Sequence, residues 1–345
     1  MKITTDFPGG NIDILSIEND LIKLKPDFRD TVGDWFYWAF RVTGASRRTL
    51  TFDFSPYNYV GCHGPAVSRD LDTWEWAGTR LGPASFAYEF GVCDDDVYFA
   101  HDMLYGIDRF NAFAEHAGLK IETLSDGGVP IVRFGEGERT IFLTARHHCC
   151  ESTGSYVLEG VLDELRVNPI PGCRVFAVPF VDYKGVAAGD QGKNRAPYDH
   201  NRDYCETPIY DETAAIMDAV SRENVTLAFD FHSPWHSGGR NDHVFFMRAR
   251  HEDMPKYIRM GEILREEMSG GPIRYDPAQD IDPGVEWNTP EQGVDRSFCW
   301  HCANLPGVEL AMVTEFPYFG LPGEPVTQEG LVMAGRAFAR AIRRY

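Results

Sequence analysis

The chain opens with short runs in which apolar residues alternate with polar ones or cluster briefly: DILSI, DWFYWAFRV, RTLTFDF, FAYEFGV and DDVYFA, each closed by Gly, Asp, Ser or Pro. Runs of this length and texture predict strands. Their succession up to about residue 110 predicts two antiparallel sheets packed as a β-sandwich. The aromatics of DWFYWAF are read as sandwich core, because large rings on a two-faced strand are normally buried.

After about residue 115 the texture changes. RTIFLTA (139–145), CRVFAVPFV (173–181), TLAFDFH (226–232) and GVELAMVTEF (307–316) are short and almost wholly apolar, as strands covered on both faces are. Helical segments lie between them. In one, Ser152 to Arg166, the residues Val157, Val161, Leu162 and Leu165 share a face and Ser152 is available as a cap. The last, EGLVMAGRAFARAIRRY, ends in basic residues that suit a helix C-terminus. This alternation predicts an α/β fold with helices on the faces of a sheet. Residues 267–300 are rich in Gly, Pro, Asp and Asn without a period, so they predict a long excursion before the final strand, of the kind that carries specificity. Two domains are expected, at 1–112 and 113–345.

Composition narrows the partners. The formal charge of −19, from 33 basic and 52 acidic side chains, opposes broad contact with phosphate backbones, so nucleic acid is not expected. No stretch approaches the length and apolarity of a membrane helix, and none resembles a leader, which makes cytoplasmic residence without a membrane partner the expectation. Eight cysteines are too sparse for a disulfide scaffold, and CWHC at 299–302 lacks a second half-site, so ordinary reduced thiols are expected.

Candidate chemistry gathers at the ends of the apolar runs. RTIFLTA leads into His148-Cys149-Cys150-Glu151, an HxxE pair that can direct an imidazole and a carboxylate at one ion from the carboxyl end of a strand. Alone it is equally a surface histidine and a helix-capping glutamate. His232 closes the strand TLAFDFH and would point at the same sheet edge, giving two histidines and a glutamate with a fourth position left open, the usual arrangement of a catalytic zinc. Asp230, two residues earlier, can orient a ligand from behind. His147 and His236 are expected to be supporting or surface residues.

At this point ARHHCCESTGSYVLEG resembles the zinc-carboxypeptidase motif ARxHPGESxxSxxxEG, especially as it occurs in cytosolic carboxypeptidases. The resemblance implies a single zinc ion per chain held by His148, Glu151 and His232, with Cys149 and Cys150 standing where the motif has Pro-Gly. VPFVDYKGVAAGDQGKNRAPYDHNRDY (178–204) is similar to VPxxNPDGVxxGxxRxxxxxxDLNRxW, which implies that Asn201 and Arg202 grip a substrate's terminal carboxylate and that Arg195, matched to the upstream arginine, stabilises the oxyanion. MVTEFPY ends an apolar strand on Glu315, where the family has its general base. The series NIDILSIENDLIKLKPDF, DWFYWAFRV, FDFSPYNYVG and DDVYFAHDMLYG is similar to the β-domain that precedes the catalytic domain in cytosolic carboxypeptidases. The resemblance thus implies an N-terminal antiparallel β-sandwich (1–112) followed by a catalytic domain (113–345) with a mixed central sheet flanked by helices, cleaving the last peptide bond of peptides or proteins. A zinc amidohydrolase or deacylase acting on small acyl-amino acids, and a non-catalytic peptide-binding module, are the alternatives.

Overall fold

The computed structural model describes residues 1–124 and 128–345. The N-terminal strands form two five-stranded sheets. One runs, in spatial order, Lys2–Thr4, Ala39–Thr43, Asp96–Ala100, Ala66–Ser68 and Trp74–Trp76, antiparallel throughout. The other runs Asp13–Glu18, Leu21–Lys25, Thr49–Asp53, Ser85–Glu89 and Thr79–Gly82. Here the expectation of purely antiparallel sheets needs one amendment: Leu21–Lys25 and Thr49–Asp53 pair in parallel. Ile22, Leu24, Phe40, Phe52, Phe86 and Phe99 fill the space between the sheets.

The aromatic run does not behave as one strand. It joins the ladder only at Ala39. Before that point the main chain of Tyr37 is bonded by a side chain from the second half of the molecule: its N–H donates to Gln191 Oε1 (2.9 Å) and its carbonyl accepts from Gln191 Nε2 (2.8 Å). Phe36, Tyr37, Trp38 and Phe40 are buried as expected, whereas Trp35 is only partly covered.

The second part of the chain is built on a seven-stranded sheet ordered Ile121–Thr123, Pro130–Gly135, Gly172–Val178, Gly137–Ala145, Val225–His232, Leu310–Glu315 and Phe245–Met247. The four apolar runs read from the sequence are its parallel centre, and the flanking strands pair antiparallel, so the sheet is mixed. Such strands need cover on both faces. On one side Ser152–Val167 and Gln328–Arg344 supply it, packed so closely that a Cβ on Gly160 would lie 2.1 Å from the Val332 carbonyl oxygen. On the other, Ile216 and Val220 of Asp211–Arg222 and Phe298, Cys299 and Cys302 of Phe298–Ala303 lie against Phe142, Ala228 and Val313. The CWHC cysteines are therefore core residues. Ser152 is the first helical residue rather than the cap, a position that falls to Glu151, and no side chain caps the helix there.

The two halves share core and polar contacts. Tyr318 and Phe319, which follow the last central strand, insert among the aromatics of the sandwich, and Gly61 makes room for Phe319: a Cβ there would meet its ring at 2.3 Å. Asn11 donates to the Gly189 carbonyl (2.7 Å), and Asp30 accepts from the N–H groups of Gln191 (2.9 Å) and Gly192 (2.8 Å). The segment 189–195 is thus held from the N-terminal side.

Truncating a fully buried phenylalanine removes its transfer energy and leaves a cavity. Phe319→Ala should lower the unfolding free energy by about 3–5 kcal/mol, measured by urea denaturation; a loss below about 1 kcal/mol would mean that this insertion does not hold the halves together.

Candidate metal centre and active site

Parallel neighbours in a sheet deliver their carboxyl ends to one edge, and here that edge carries the chemistry. His232 and Glu315 are the last residues of adjacent strands and stand opposite one another in the ladder. His148 and Glu151 lie in the turn between Gly137–Ala145 and the following helix. The Nδ1 atoms of both histidines face the same carboxylate: His148 Nδ1 is 2.8 Å from Glu151 Oε1, and His232 Nδ1 is 2.7 Å from Glu151 Oε2. The donor atoms of His148, Glu151 and His232 all lie within 4.8 Å of one another.

Each imidazole is steered from behind. His232 Nε2 lies 2.7 Å from Asp230 Oδ2, and His148 Nε2 lies 3.5 Å from Asp199 Oδ1. This is the arrangement that fixes a ligating histidine's orientation and raises its basicity. His147 sits one layer deeper, with Nδ1 2.9 Å from Asp230 Oδ1 and Nε2 2.7 Å from the Tyr204 hydroxyl. His147, Asp230 and His232 also meet the distance condition for an ion. They are buried, however, and neither His147 nor Asp230 lines the cavity described below, so the trio that opens to ligands is His148, Glu151 and His232.

The electrostatics of this edge call for positive charge. Burial alone would push the Glu151 carboxyl up, but Lys193 and the two histidines hold it well below the usual range. Burial opposes protonation of His148 and His232, yet the neighbouring carboxylates (Glu151 and Asp199 at the first, Asp230 and Glu151 at the second) raise both. A carboxylate flanked by two imidazoles, each backed by a further carboxylate, is a donor set that suits a dication. Glu315 differs. Burial, with Glu151 nearby, pushes it up to about 7 despite His232 and Lys193, and its Oε2 has no hydrogen-bond partner among the described residues.

These groups open into a cavity of about 410 Å³ lined by His148, Glu151, His232 and Glu315, and also by Asn201 and Arg202. Asn201 lies beside the metal trio, its Nδ2 3.1 Å from His232 Nε2, and its Oδ1 accepts from the Phe298 N–H (3.1 Å). Arg202 is steadied through Nε by the Gln292 carbonyl (2.7 Å) and through Nη1 by the Asn201 carbonyl (2.9 Å), and it forms no ion pair among the described residues. Arg195 also reaches the lining, but three carboxylates occupy its guanidinium: Asp30 at Nε (3.0 Å), Asp182 at Nη1 (2.8 Å) and Asp190 at Nη2 (3.1 Å).

Lys193 and Trp35 are among the lining residues that escaped the sequence reading. Lys193 places Nζ 2.6 Å from Glu151 Oε1, although in sequence it is one more polar residue of a Gly-rich loop. Trp35 comes from the run read as core and forms part of the wall, 4.9 Å from the Trp235 ring. His236 lies away from the trio, its Nδ1 2.8 Å from His101 Nε2. His200 is buried and stacked on Tyr210 at 3.8 Å.

Residues 3–101 match the model of the cytosolic carboxypeptidase N-terminal domain. An uncharacterized protein of Zymomonas mobilis is 25% identical over 316 residues, which span 85% of this chain and 81% of that protein. A metallo-carboxypeptidase from Burkholderia cenocepacia superposes with a TM-score of 0.82 at 18% identity, covering 99% of this chain and 98% of that one. A metallo-carboxypeptidase from Pseudomonas aeruginosa, solved with (2-guanidinoethylmercapto)succinic acid, gives 0.78 at 19% identity over 100% and 98% of the two chains. These likenesses agree with the resemblance carried by the sequence motifs: the chain has the metallo-carboxypeptidase fold, and its residues 3–101 match the N-terminal domain of the cytosolic carboxypeptidases.

Proposed function

We propose that the chain is a zinc metallocarboxypeptidase that removes the C-terminal residue of peptides or proteins, and that it works in the cytoplasm. One observation carries the proposal: the His148–Glu151–His232 donor set, Arg202, which forms no ion pair among the described residues, and the Glu315 oxygen that has no hydrogen-bond partner among them all line a single cavity. A binding module would have no use for a buried carboxylate with a bare oxygen beside a metal set.

Two imidazole nitrogens and a carboxylate with an open fourth position fit zinc. Bound there, zinc would act as a Lewis acid and acidify water. The chain's own residues do the rest. Arg202 offers its planar fork to the terminal carboxylate, a bidentate match that a lysine cannot make, and Asn201 adds a hydrogen bond. Together they set the last peptide bond against Glu315. Glu315 takes a proton from the attacking water and returns it to the departing nitrogen, which frees the terminal amino acid. Its burial raises its proton affinity above that of an exposed glutamate, which suits a group that must both accept a proton and return it.

The purified protein should carry close to one zinc per chain, and His232→Ala should lose it; full occupancy in that variant, measured by elemental analysis, would refute the ligand set. Free-acid peptides should be cleaved and their C-terminal amides resisted. Arg202→Ala should keep its zinc while losing most of its turnover of free acids. Equal cleavage of a peptide and its amide would instead favour an amidase of another kind. Glu315→Gln preserves side-chain shape, so folding, zinc content and peptide affinity should survive while kcat drops by roughly 10² to 10⁴; near wild-type turnover would remove Glu315 from the mechanism.

A further inference from the structure

Attack on a peptide bond moves the carbonyl π pair onto oxygen, and a cavity that catalyses it gains from hydrogen-bond donors or positive charge aimed at that oxygen. The pattern VPxxNPDGVxxGxxRxxxxxxDLNRxW provides an arginine. Counted three forward from Gly189 or seven back from Asp199, that position in this chain is Gly192, not Arg195. No side chain fits there. Gly192 has a φ of +72°, and a Cβ on it would lie 2.4 Å from the Cys149 backbone nitrogen. A side-chain cation for this role has to reach in from a neighbouring position.

Arg195 is poorly placed for the task. Its three guanidinium nitrogens are committed to Asp30, Asp182 and Asp190, and releasing them would strand three largely buried carboxylates. Lys193 is the opposite case. Its side chain is 10% exposed, and Nζ lies 2.6 Å from Glu151 Oε1 and 3.4 Å from the carbonyl oxygen of Ser233, the residue after His232. An ammonium has three N–H groups, and those two contacts leave one free. The ammonium lies over the rings of Trp35 and Phe36 of the N-terminal domain, whose centroids are 5.4 and 5.8 Å from Nζ.

We propose that Lys193 is the oxyanion-stabilising catalytic residue of this chain and that Arg195 is a positioning residue clamping the segment 189–195 to the first domain. The assignment rests on the peptidase reading. As the water oxygen bonds to the carbonyl carbon, the π pair becomes a lone pair on the carbonyl oxygen, which accepts a hydrogen bond from Lys193 Nζ. No proton moves from the lysine. When the carbon–nitrogen bond breaks, the pair returns to re-form the carbonyl, and the nitrogen leaves with the proton carried by Glu315.

The test uses full-length wild type, Lys193→Met, Lys193→Arg and Arg195→Met, with zinc content, peptide turnover and affinity for a phosphonate analogue of the same peptide measured on each preparation. Lys193→Met should keep its zinc and its affinity for the product amino acid. Its kcat and its phosphonate affinity should fall in parallel by about 10² or more, with KM within a few-fold, and Lys193→Arg should recover part of both. Arg195→Met should show mainly a lower melting temperature. Undiminished phosphonate affinity in Lys193→Met would overturn the assignment, as would loss of zinc in that variant or loss of phosphonate affinity in Arg195→Met alone. Wild-type protein that cleaves no free-acid peptide, yet binds the phosphonate through Lys193, would refute the peptidase reading while upholding the oxyanion site.

Discussion

A carboxylate removed from water must be compensated by positive charge, and Glu151, 1% exposed, is the group on which this structure turns. Its two oxygens bring together elements distant in sequence: His148 from the same turn, His232 from the next strand, and Lys193 from the loop that borders the first domain. Asp230 and Asp199 extend the network outward by holding the far nitrogens of the two histidines. The result is that the side chains of the candidate metal set are held in place by one another and by the carboxylates behind them.

The same constraint gives the N-terminal domain a part in the chemistry beyond covering the second. Asp30 receives Gln191, Gly192 and Arg195, while the rings of Trp35 and Phe36 lie beneath the Lys193 ammonium. In return Gln191 satisfies the main chain of Tyr37, and Phe319 completes the aromatic core between the first two sheets. Neither half has a finished surface without the other.

Much of this was legible in the sequence because burial and chemistry coincide at strand ends. Each central strand is an apolar run, and His148, His232 and Glu315 announce themselves by closing or following such runs. What stayed hidden depends on contacts between segments far apart in the chain. Lys193 is set by the fit of Gly192 against Cys149 and by a partner in another turn, neither of which leaves a local pattern. Trp35 looks like its buried neighbours, yet the side chain of Gln191 takes the hydrogen bonds of Tyr37 that a ladder would have used, and the run enters its sheet late. Ser152 looked like a cap, but that position falls to Glu151, whose carboxylate is needed elsewhere.

The central claim is that one metal ion sits among His148, Glu151 and His232, and anomalous diffraction at the zinc edge from crystals of the purified protein tests it directly. A single strong peak per chain is expected, bonded to the Nδ1 atoms of His148 and His232 and to the Glu151 carboxylate, with Glu315 facing it unbonded. A peak seated instead among His147, Asp230 and His232, or no peak in protein that cleaves peptides, would contradict it.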